Sequence, residues 1–237
     1  MSQPPPRAPE PTPPAVTTAM KTLPSLKSIR TAKAYDDLLR ALYLGVKPEV
    51  EEIAVPPLAV IAVAGNQPPA SRQFQEAIAV LYGIGYTLKM GLKFGKLPRP
   101  SRYFDYRVGA LEALWWSTGG SLEIDNPRTL RWQAYLMVPG FVTQKLADQS
   151  AALAKAKHPE IPFEAAALAT VDEGRSVQML HIGRYDREEP TTDRLRAYAA
   201  DHGLLVGGRH HEVYISDPRR TRPEKLKTVI RFAVKPA

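Results

Sequence analysis

Two stretches of this sequence have the pattern of β-strands, and each carries one glutamate at its centre. Residues 106–116 contain Glu112, and a second stretch that begins at His210 contains Glu212, 100 positions further on. An unpaired carboxylate buried in a strand costs several kcal/mol, so each glutamate needs water, a partner charge or a pocket. We interpret the two glutamates as equivalent positions of an internal duplication.

The elements around these strands follow the same order twice. In the first half, the order is an apolar strand over residues 58–64, a helix from Ser71 to about Met90, the Glu112 strand and a strand over 131–138. In the second half, it is a strand over 177–182, a helix capped by Thr191, the Glu212 strand and a strand over 227–234. Apolar runs and helical spacing of apolar residues support these assignments. The repeated order is strand, helix, strand, strand.

This order predicts an α+β fold made of a duplicated strand-helix-strand-strand antiparallel sheet, with helices on one face and a ligand cleft on the other. The two repeats span residues 57–139 and 163–237, and a helix at about 143–157 joins them. Residues 21–56 are expected to form a lead-in that packs on this domain. Residues 1–20 are rich in proline, which predicts a disordered tail, although a proline-ligand role for it stays open.

Composition excludes several classes of chemistry. The 237-residue chain has no cysteine, so disulfides, thiol catalysis and thiolate metal sites are excluded. No apolar run is long enough to span a bilayer, and no secretory signal begins the sequence, so we expect a cytoplasmic protein without a membrane partner. Monomer and homodimer both stay open.

The basic balance of the chain, a formal charge of +8, raises the question of nucleic acid. The positive charges are scattered except in residues 219–227, where neither interleaved aromatic residues nor a helix-turn-helix pattern occurs. We therefore interpret them as a solvated surface and do not expect a nucleic-acid partner.

Cofactor and metal motifs are missing as well. His210, His211 and Glu212 are consecutive, so strand alternation sends His211 to the opposite face from the other two. No glycine-rich nucleotide loop and no nucleophile elbow follows a strand. We predict a protein without cofactor or metal.

Strand alternation does place His210, Glu212 and Tyr214 on one face. Trp116 and Trp132 are candidates for the walls around the carboxylate, and Glu112 is its candidate counterpart. Such a site suits a flat aromatic or cationic ligand, and an apolar wall raises the pKa of a carboxyl group toward that of a general base or acid. The alternative is that both glutamates pair with nearby arginines.

Further candidates lie on the flanking elements. Tyr82 and Tyr86 are four residues apart on the predicted helix and line a pocket edge or pack the helix. His181 and Tyr185 flank Gly183 where a strand ends, a position from which a donor reaches a ligand. A structural role for His181 stays open.

Several motifs in this order resemble the GyrI-like small-molecule-binding proteins of the SOUL/GyrI superfamily. The resemblance runs from about residue 57 to the C-terminus, and its nearest branch is the stand-alone one that includes the cyclopropanoid cyclopropyl hydrolases. The motifs are Phe74-Gln75-Glu76-Ala77-Ile78, Leu81-Tyr82-Gly83, Tyr86-Thr87-Leu88-Lys89-Met90, Leu111-Glu112-Ala113-Leu114-Trp115-Trp116, Leu130-Arg131-Trp132, Glu173-Gly174, Val177-Gln178, His181-Ile182-Gly183, Tyr185-Asp186 and residues 210–220.

The resemblance implies a duplicated SHS2-type fold that binds aromatic or cationic drug-like molecules around a central glutamate, which by motif position is Glu212. In the hydrolase branch it implies water addition to a cyclopropane conjugated to a dienone, with Glu212 orienting or deprotonating the water. From residue type and placement, we assign Tyr86 as the hydrogen-bond donor to the substrate or its developing phenolate. By the same reasoning, Trp116 and Trp132 would sandwich the flat ligand. The alternative is a non-catalytic module that binds, senses or sequesters small molecules, or a gyrase-inhibitor-like protein partner.

Overall fold

The computed structural model describes residues 20–119, 121–207 and 209–237. The tail predicted for residues 1–20 lies, apart from Met20, outside these described residues. The α-helices in the described part are α1 (Ala32–Leu39), α2 (Arg72–Lys93), α3 (Gln144–Lys157) and α4 (Glu189–Asp201). The strands are β1 (Lys21–Thr22), β2 (Glu51–Val55), β3 (Leu58–Gly65), β4 (Leu111–Ser117), β5 (Leu130–Met137), β6 (Ala167–Val171), β7 (Gly174–Ile182), β8 (Leu204–Val206), β9 (His210–Tyr214) and β10 (Lys227–Pro236).

These strands form one sheet in the order β1-β2-β7-β10-β9-β4-β5-β3-β6, and β8 pairs with β10 beside this path. Every pairing is antiparallel except that of β1 with β2. The α+β class and the antiparallel sheet are therefore confirmed. Strands β4 and β9, which carry the two glutamates, are direct neighbours at the centre. The descent of the two halves from a duplication stays a prediction.

Helix α2 begins and packs as its sequence indicates. The side chain of Ser71 accepts a hydrogen bond from the backbone N–H of Phe74, which caps the first turn. Gly83 lets Phe163 pack directly against the helix backbone, because a Cβ at this position would lie 2.6 Å from the Phe163 ring. Gly83, in the interior of α2, therefore allows close packing.

Helix α4 begins three residues earlier than predicted, because its cap is Glu188 and not Thr191. Its first residue is Glu189, and Pro190 follows, which suits proline because the N–H groups of a first turn have no helical partner. Thr191 lies inside the helix, and its hydroxyl is 2.9 Å from Nδ1 of His181. The prediction of Thr191 as the cap is wrong, because this hydroxyl is used to join the helix to β7.

The N-terminal segment covers the sheet face that lies away from α2 and α4. The hydroxyl of Tyr35 in α1 donates to the carbonyl of Met137, at 3.3 Å. The Tyr43 hydroxyl accepts from the backbone N–H of Ala110, and the carbonyl of Leu42 accepts from Arg231. This second face is therefore filled by protein at the centre of the sheet.

In the described part of the chain, no helix combines the length and the apolar character that crossing a membrane requires.

Candidate functional site

The register between β4 and β9 separates the two central glutamates. Ala113 lies opposite Glu212, and Glu112 lies opposite Val213. Residues directly opposite each other in an antiparallel pair share a face, and neighbours along a strand alternate. The side chains of Glu112 and Glu212 therefore leave the sheet on opposite faces. The predicted equivalence of these residues within one ligand site is wrong.

Glu212 lies on the face that carries α2 and α4. Its neighbour His210 pairs across strands with Trp115, whose ring packs 4.9 Å from that of Phe74 in α2. The His210 ring also meets Phe232 edge-on at 5.5 Å, and Phe232 belongs to the apolar cluster beneath α4. The carboxylate thus lies on the sheet face that carries α2 and α4, whereas the ligand cleft was expected on the face without helices.

Glu212 belongs to a cluster of three polar side chains. Its Oε1 lies 3.1 Å from Nε2 of His210, and the same nitrogen lies 3.6 Å from Oε2 of Glu188. All three side chains are almost fully buried. A single imidazole nitrogen therefore faces two carboxylates.

Glu188 is the member of this cluster that the sequence analysis missed. It precedes the first residue of α4, where the run Glu188-Glu189-Pro190 marks a helix start but not a site. Only the packing of α4 onto β7, β8 and β10 brings it to His210. No local pattern distinguishes it from the exposed Glu189 beside it.

Burial and mutual repulsion shape the protonation of the cluster. Burial, followed by the nearby charge of Glu212, raises the pKa of Glu188 to about 7. Burial by itself lowers the pKa of His210, but the neighbouring carboxylates of Glu188 and Glu212 outweigh it and raise this pKa to about 9. At neutral pH, His210 is therefore an imidazolium, and Glu188 is close to half protonated.

Two tyrosines border Glu212. The Tyr214 hydroxyl accepts a hydrogen bond of 3.2 Å from Nε1 of Trp115, and the Tyr185 ring meets the Tyr214 ring edge-on at 5.7 Å. Burial, followed by the charge of Glu212, raises the pKa of Tyr185 to about 12 and also raises that of Tyr214. Both phenols therefore stay neutral and can donate hydrogen bonds at any physiological pH.

Helix α2 supplies two more tyrosines on the other side of the cleft. Tyr82 lies beside the backbone N–H of Leu111, and Leu111 is the cross-strand partner of Tyr214. Tyr86 stacks on Tyr82 with ring centres 6.0 Å apart, and it is 54% exposed. Together, Tyr82, Tyr86, Tyr185 and Tyr214 form an aromatic region beside Glu212, and we call this region the tyrosine cleft.

The tryptophans do not form the predicted sandwich. Trp132 is fully buried, donates a 2.8 Å hydrogen bond to the carbonyl of Gln67 and meets Phe74 edge-on. Trp116 is the cross-strand partner of Arg131, and its side chain points to the opposite face of the sheet. There, the guanidinium of Arg209 lies 4.4 Å from the centre of the Trp116 ring. The prediction is wrong because neighbouring positions of a strand alternate, so that Trp115 and not Trp116 reaches the helix face.

His181 has a structural position. Its Nδ1 lies 2.9 Å from the Thr191 hydroxyl, and its Nε2 lies 3.2 Å from the carbonyl of Arg184. Both ring nitrogens are thus engaged in holding α4 and the loop before it. The structural alternative is favoured over a role in ligand binding.

Glu112 takes part in a buried ionic network on the opposite face. His211 lies between Glu112, at 3.2 Å, and Glu173, at 3.0 Å, and the guanidinium of Arg231 donates to Glu173 at 3.0 Å. The Tyr135 hydroxyl is 3.0 Å from the same histidine. Glu112 therefore has partner charges rather than a ligand pocket, and its predicted ligand-binding role is wrong.

In the part of the chain that the structure describes, Glu188, His210 and Glu212 form the one group of this kind with metal-like spacing, with donor atoms all within 4.8 Å of one another. A proton on Nε2 of His210 competes with any metal for this position. The arrangement is suited to holding a proton between two carboxylates beside an aromatic cleft.

Comparison with known proteins agrees with this architecture. The profile of the GyrI-like small molecule binding domain matches residues 150–235. An uncharacterized conserved protein from Listeria innocua is 31% identical, with a TM-score of 0.76, and the match covers 87% of this chain and 100% of that one. A hydrolase from Listeria innocua is equally similar, at 31% identity and a TM-score of 0.76, over 85% of this chain and 98% of that one.

A more distant structure, the EcmrR C-terminal domain, shares the fold at 14% identity and a TM-score of 0.51, over 80% of this chain and 98% of that domain. Among proteins with curated descriptions, none matches significantly. The chain belongs to the family of GyrI-like small-molecule-binding domains.

Proposed function

We propose that the tyrosine cleft binds flat aromatic molecules and that Glu212 catalyses the addition of water to a strained cyclopropane in such a ligand. The observation that carries the proposal is the buried Glu212 carboxylate, held by His210 at 3.1 Å and bordered by Tyr185 and Tyr214. Aromatic walls around one negative charge bind flat rings and favour cations among them.

The proposed reaction needs only water and the side chains of the cleft. The water oxygen attacks a ring carbon of the cyclopropane, a carbon–carbon bond breaks, and its electron pair moves into the conjugated dienone, which becomes a phenolate. Glu212 takes the proton that water loses and later returns it to solvent, while the phenolate is protonated. The product is heavier than the substrate by one water.

A neutral phenol assists such a step by donating a hydrogen bond to the oxygen on which charge develops. Tyr86 is our candidate for this donor, because its side chain is exposed at the mouth of the cleft. Tyr82, stacked beside it, then covers the face of the bound ring. The likeness to a protein named a hydrolase, at 31% identity, supports a catalytic function.

The second candidate is binding without turnover, for sensing or sequestration. The match to a family described by small-molecule binding favours it. The same glutamate and tyrosines would form the pocket, so only chemistry on the ligand separates the two functions.

A mass-spectrometric time course with a cyclopropane-containing dienone alkylator tests the proposal. We expect the wild type to form the product that is heavier by one water. Glu212→Gln should bind the neutral substrate but lose turnover by about a hundredfold or more. The matched control, Glu189→Gln, removes an exposed carboxylate from the start of α4 and should keep wild-type turnover.

Two results would change the conclusion. Intact compound that co-elutes with the wild type would favour binding without turnover. Unchanged turnover in Glu212→Gln would remove Glu212 from the mechanism.

A further inference from the structure

Glu188 is a buried carboxylate that the proposed reaction does not use. It is only 7% exposed, so its side chain faces His210 rather than the open cleft. Its Oε1 is buried and finds no hydrogen-bond partner among the described residues, and the same holds for Oγ1 of Thr228, which faces it from β10. Two buried oxygens that face each other and lack a hydrogen-bond partner require an explanation.

The geometry around His210 contains an imbalance between donors and acceptors. The Nε2–H of the imidazolium is one donor, and it faces carboxylate oxygens at 3.1 Å and 3.6 Å. The shorter distance is a hydrogen bond to Glu212, and the longer one is outside hydrogen-bond range. Two buried carboxylates that face one imidazolium repel each other, and this repulsion favours the protonated form of one of them.

We propose that Glu188 is a positioning residue that acts through His210 to control how readily Glu212 accepts a proton. The unit formed by Glu188, His210 and Glu212 gains or loses one proton, and it does so at Glu188. When Glu188 is protonated, the imidazolium donates its Nε2–H to Glu212 and holds that carboxylate as a weak base. When Glu188 loses its proton, its anion competes for the same Nε2–H, and Glu212 is released to accept a proton from water.

The groups packed around Glu188 agree with this exchange. His210 and Glu212 face it from β9, the Thr228 hydroxyl faces it from β10, and Tyr185 and Tyr214 border the same space. Of these, His210 is the only side chain that carries a positive charge. The tyrosines stay neutral, so the protonation of Glu188 is what changes the charge of the unit near neutral pH.

The arrangement of protons does not depend on the proposed function, but its effect on turnover does. We expect kcat of the wild type to rise through about pH 7, where Glu188 ionises. Glu188→Gln keeps the shape of the side chain and fixes it in a neutral state. The variant should lose this rise and show about a tenfold lower kcat than the wild type at pH 8, with KM for a neutral substrate unchanged.

Nuclear magnetic resonance of ¹⁵N-labelled histidine tests the proton exchange without any ligand. The Nε2 resonance of His210, assigned with His210→Gln, is followed from about pH 5 to about pH 9. In the wild type, we expect a step near pH 7 that reports Glu188, before the imidazolium itself titrates near pH 9. Glu188→Gln should lose the step near pH 7, and the matched control Glu189→Gln should keep it.

The outcomes separate this inference from the proposed function. A step near pH 7 that persists in Glu188→Gln would overturn the inference, whatever the turnover. A step that depends on Glu188 in a protein without turnover would support the inference and overturn hydrolysis. If Glu188→Gln fails to fold, Glu188→Asp, which keeps the charge, should retain the step at a displaced pH, and an unmoved step would overturn the inference.

A metal is the remaining competitor for these three side chains. If Zn²⁺ bound the chelator-treated wild type at micromolar concentration and neither Glu188→Gln nor His210→Gln bound it, the cluster would be a metal site and the proton exchange would be overturned. We expect no such binding.

Discussion

The Nε2 atom of His210 lies 3.1 Å from a carboxylate oxygen of Glu212 and 3.6 Å from one of Glu188. The imidazolium is the one positive charge in this cluster, so it offsets two buried carboxylates at once. Removing it leaves the two acids facing each other without a counter-ion, whereas removing one acid reduces the repulsion between them.

His210→Gln should therefore destabilise the fold by about 3 kcal/mol at pH 7, because breaking a buried ion pair leaves uncompensated charge. The double variant His210→Gln/Glu188→Gln should recover part of this loss. Urea unfolding followed by circular dichroism measures both. Equal stability of the single and double variants would contradict the shared role of His210.

The stability of the protein should fall as the pH rises from about 5 to about 9. Glu188 has a folded pKa of about 7 against an ordinary value of 4.5, so the stability linked to it is complete below 4.5 and is lost as the pH rises through 7. His210 has a folded pKa of about 9 against an ordinary value of 6.5, so the stability linked to it is lost as the pH rises between these two values. Each unit of pKa shift corresponds to about 1.4 kcal/mol.

Chemical unfolding across this pH range measures the decline. Glu188→Gln should flatten the part between about pH 5 and about pH 7, because no carboxyl group is then left to ionise at that position. Glu189→Gln should follow the wild-type curve. A wild-type stability that is constant or rises over this interval would contradict the pKa assignments.

Tyr185→Ala should weaken the binding of a flat aromatic ligand by about 1 kcal/mol, because one aromatic wall of the cleft is lost. Tyr185→Phe should bind almost as the wild type does, since the ring remains. Tyr198→Ala, which removes a tyrosine stacked on His202 outside the cleft, is the matched control. Isothermal titration calorimetry with a fluorescent aromatic cation measures all three. Equal affinity of Tyr185→Ala and the wild type would place the ligand elsewhere.

The elements of the fold were largely predictable because their signals are local. The Ser71 cap, the helical spacing of α2 and the apolar run of β3 each occur within a few residues. The order of elements on each side of α3 followed from the same signals. Strands β1, β2 and β8 were not predicted, because each is short and is defined by pairing with a distant partner.

The site was less predictable because it depends on register and on packing between distant segments. Period-two alternation correctly grouped His210, Glu212 and Tyr214 within one strand, but it does not relate the faces of β4 and β9. That relation follows from the pairing of Ala113 with Glu212, which places Glu112 and Trp116 on the opposite face from Glu212. Glu188 had no local signal, since its place beside His210 depends on the docking of α4.

A last experiment tests whether the two faces of the sheet act independently. It changes a residue on the face that carries Glu112. Burial by itself raises the pKa of Glu173, but the charges of His211 and Arg231 outweigh it and lower this pKa to about 2. Glu173→Gln removes a partner from both cations and should destabilise the fold by about 3 kcal/mol at pH 7. The stability linked to Glu173 is present above about pH 4.5 and is lost as the pH falls toward 2.

Because Glu173 lies across the sheet from Glu212, the folded fraction of Glu173→Gln should bind aromatic ligands with wild-type affinity. Ligand titration under conditions in which the variant is fully folded measures this. Glu212→Gln should show the reverse, with a smaller loss of stability and a loss of cation affinity of about tenfold or more. If Glu173→Gln lost affinity while remaining folded, the buried network and the tyrosine cleft would be coupled through β9, and the two faces would not be independent.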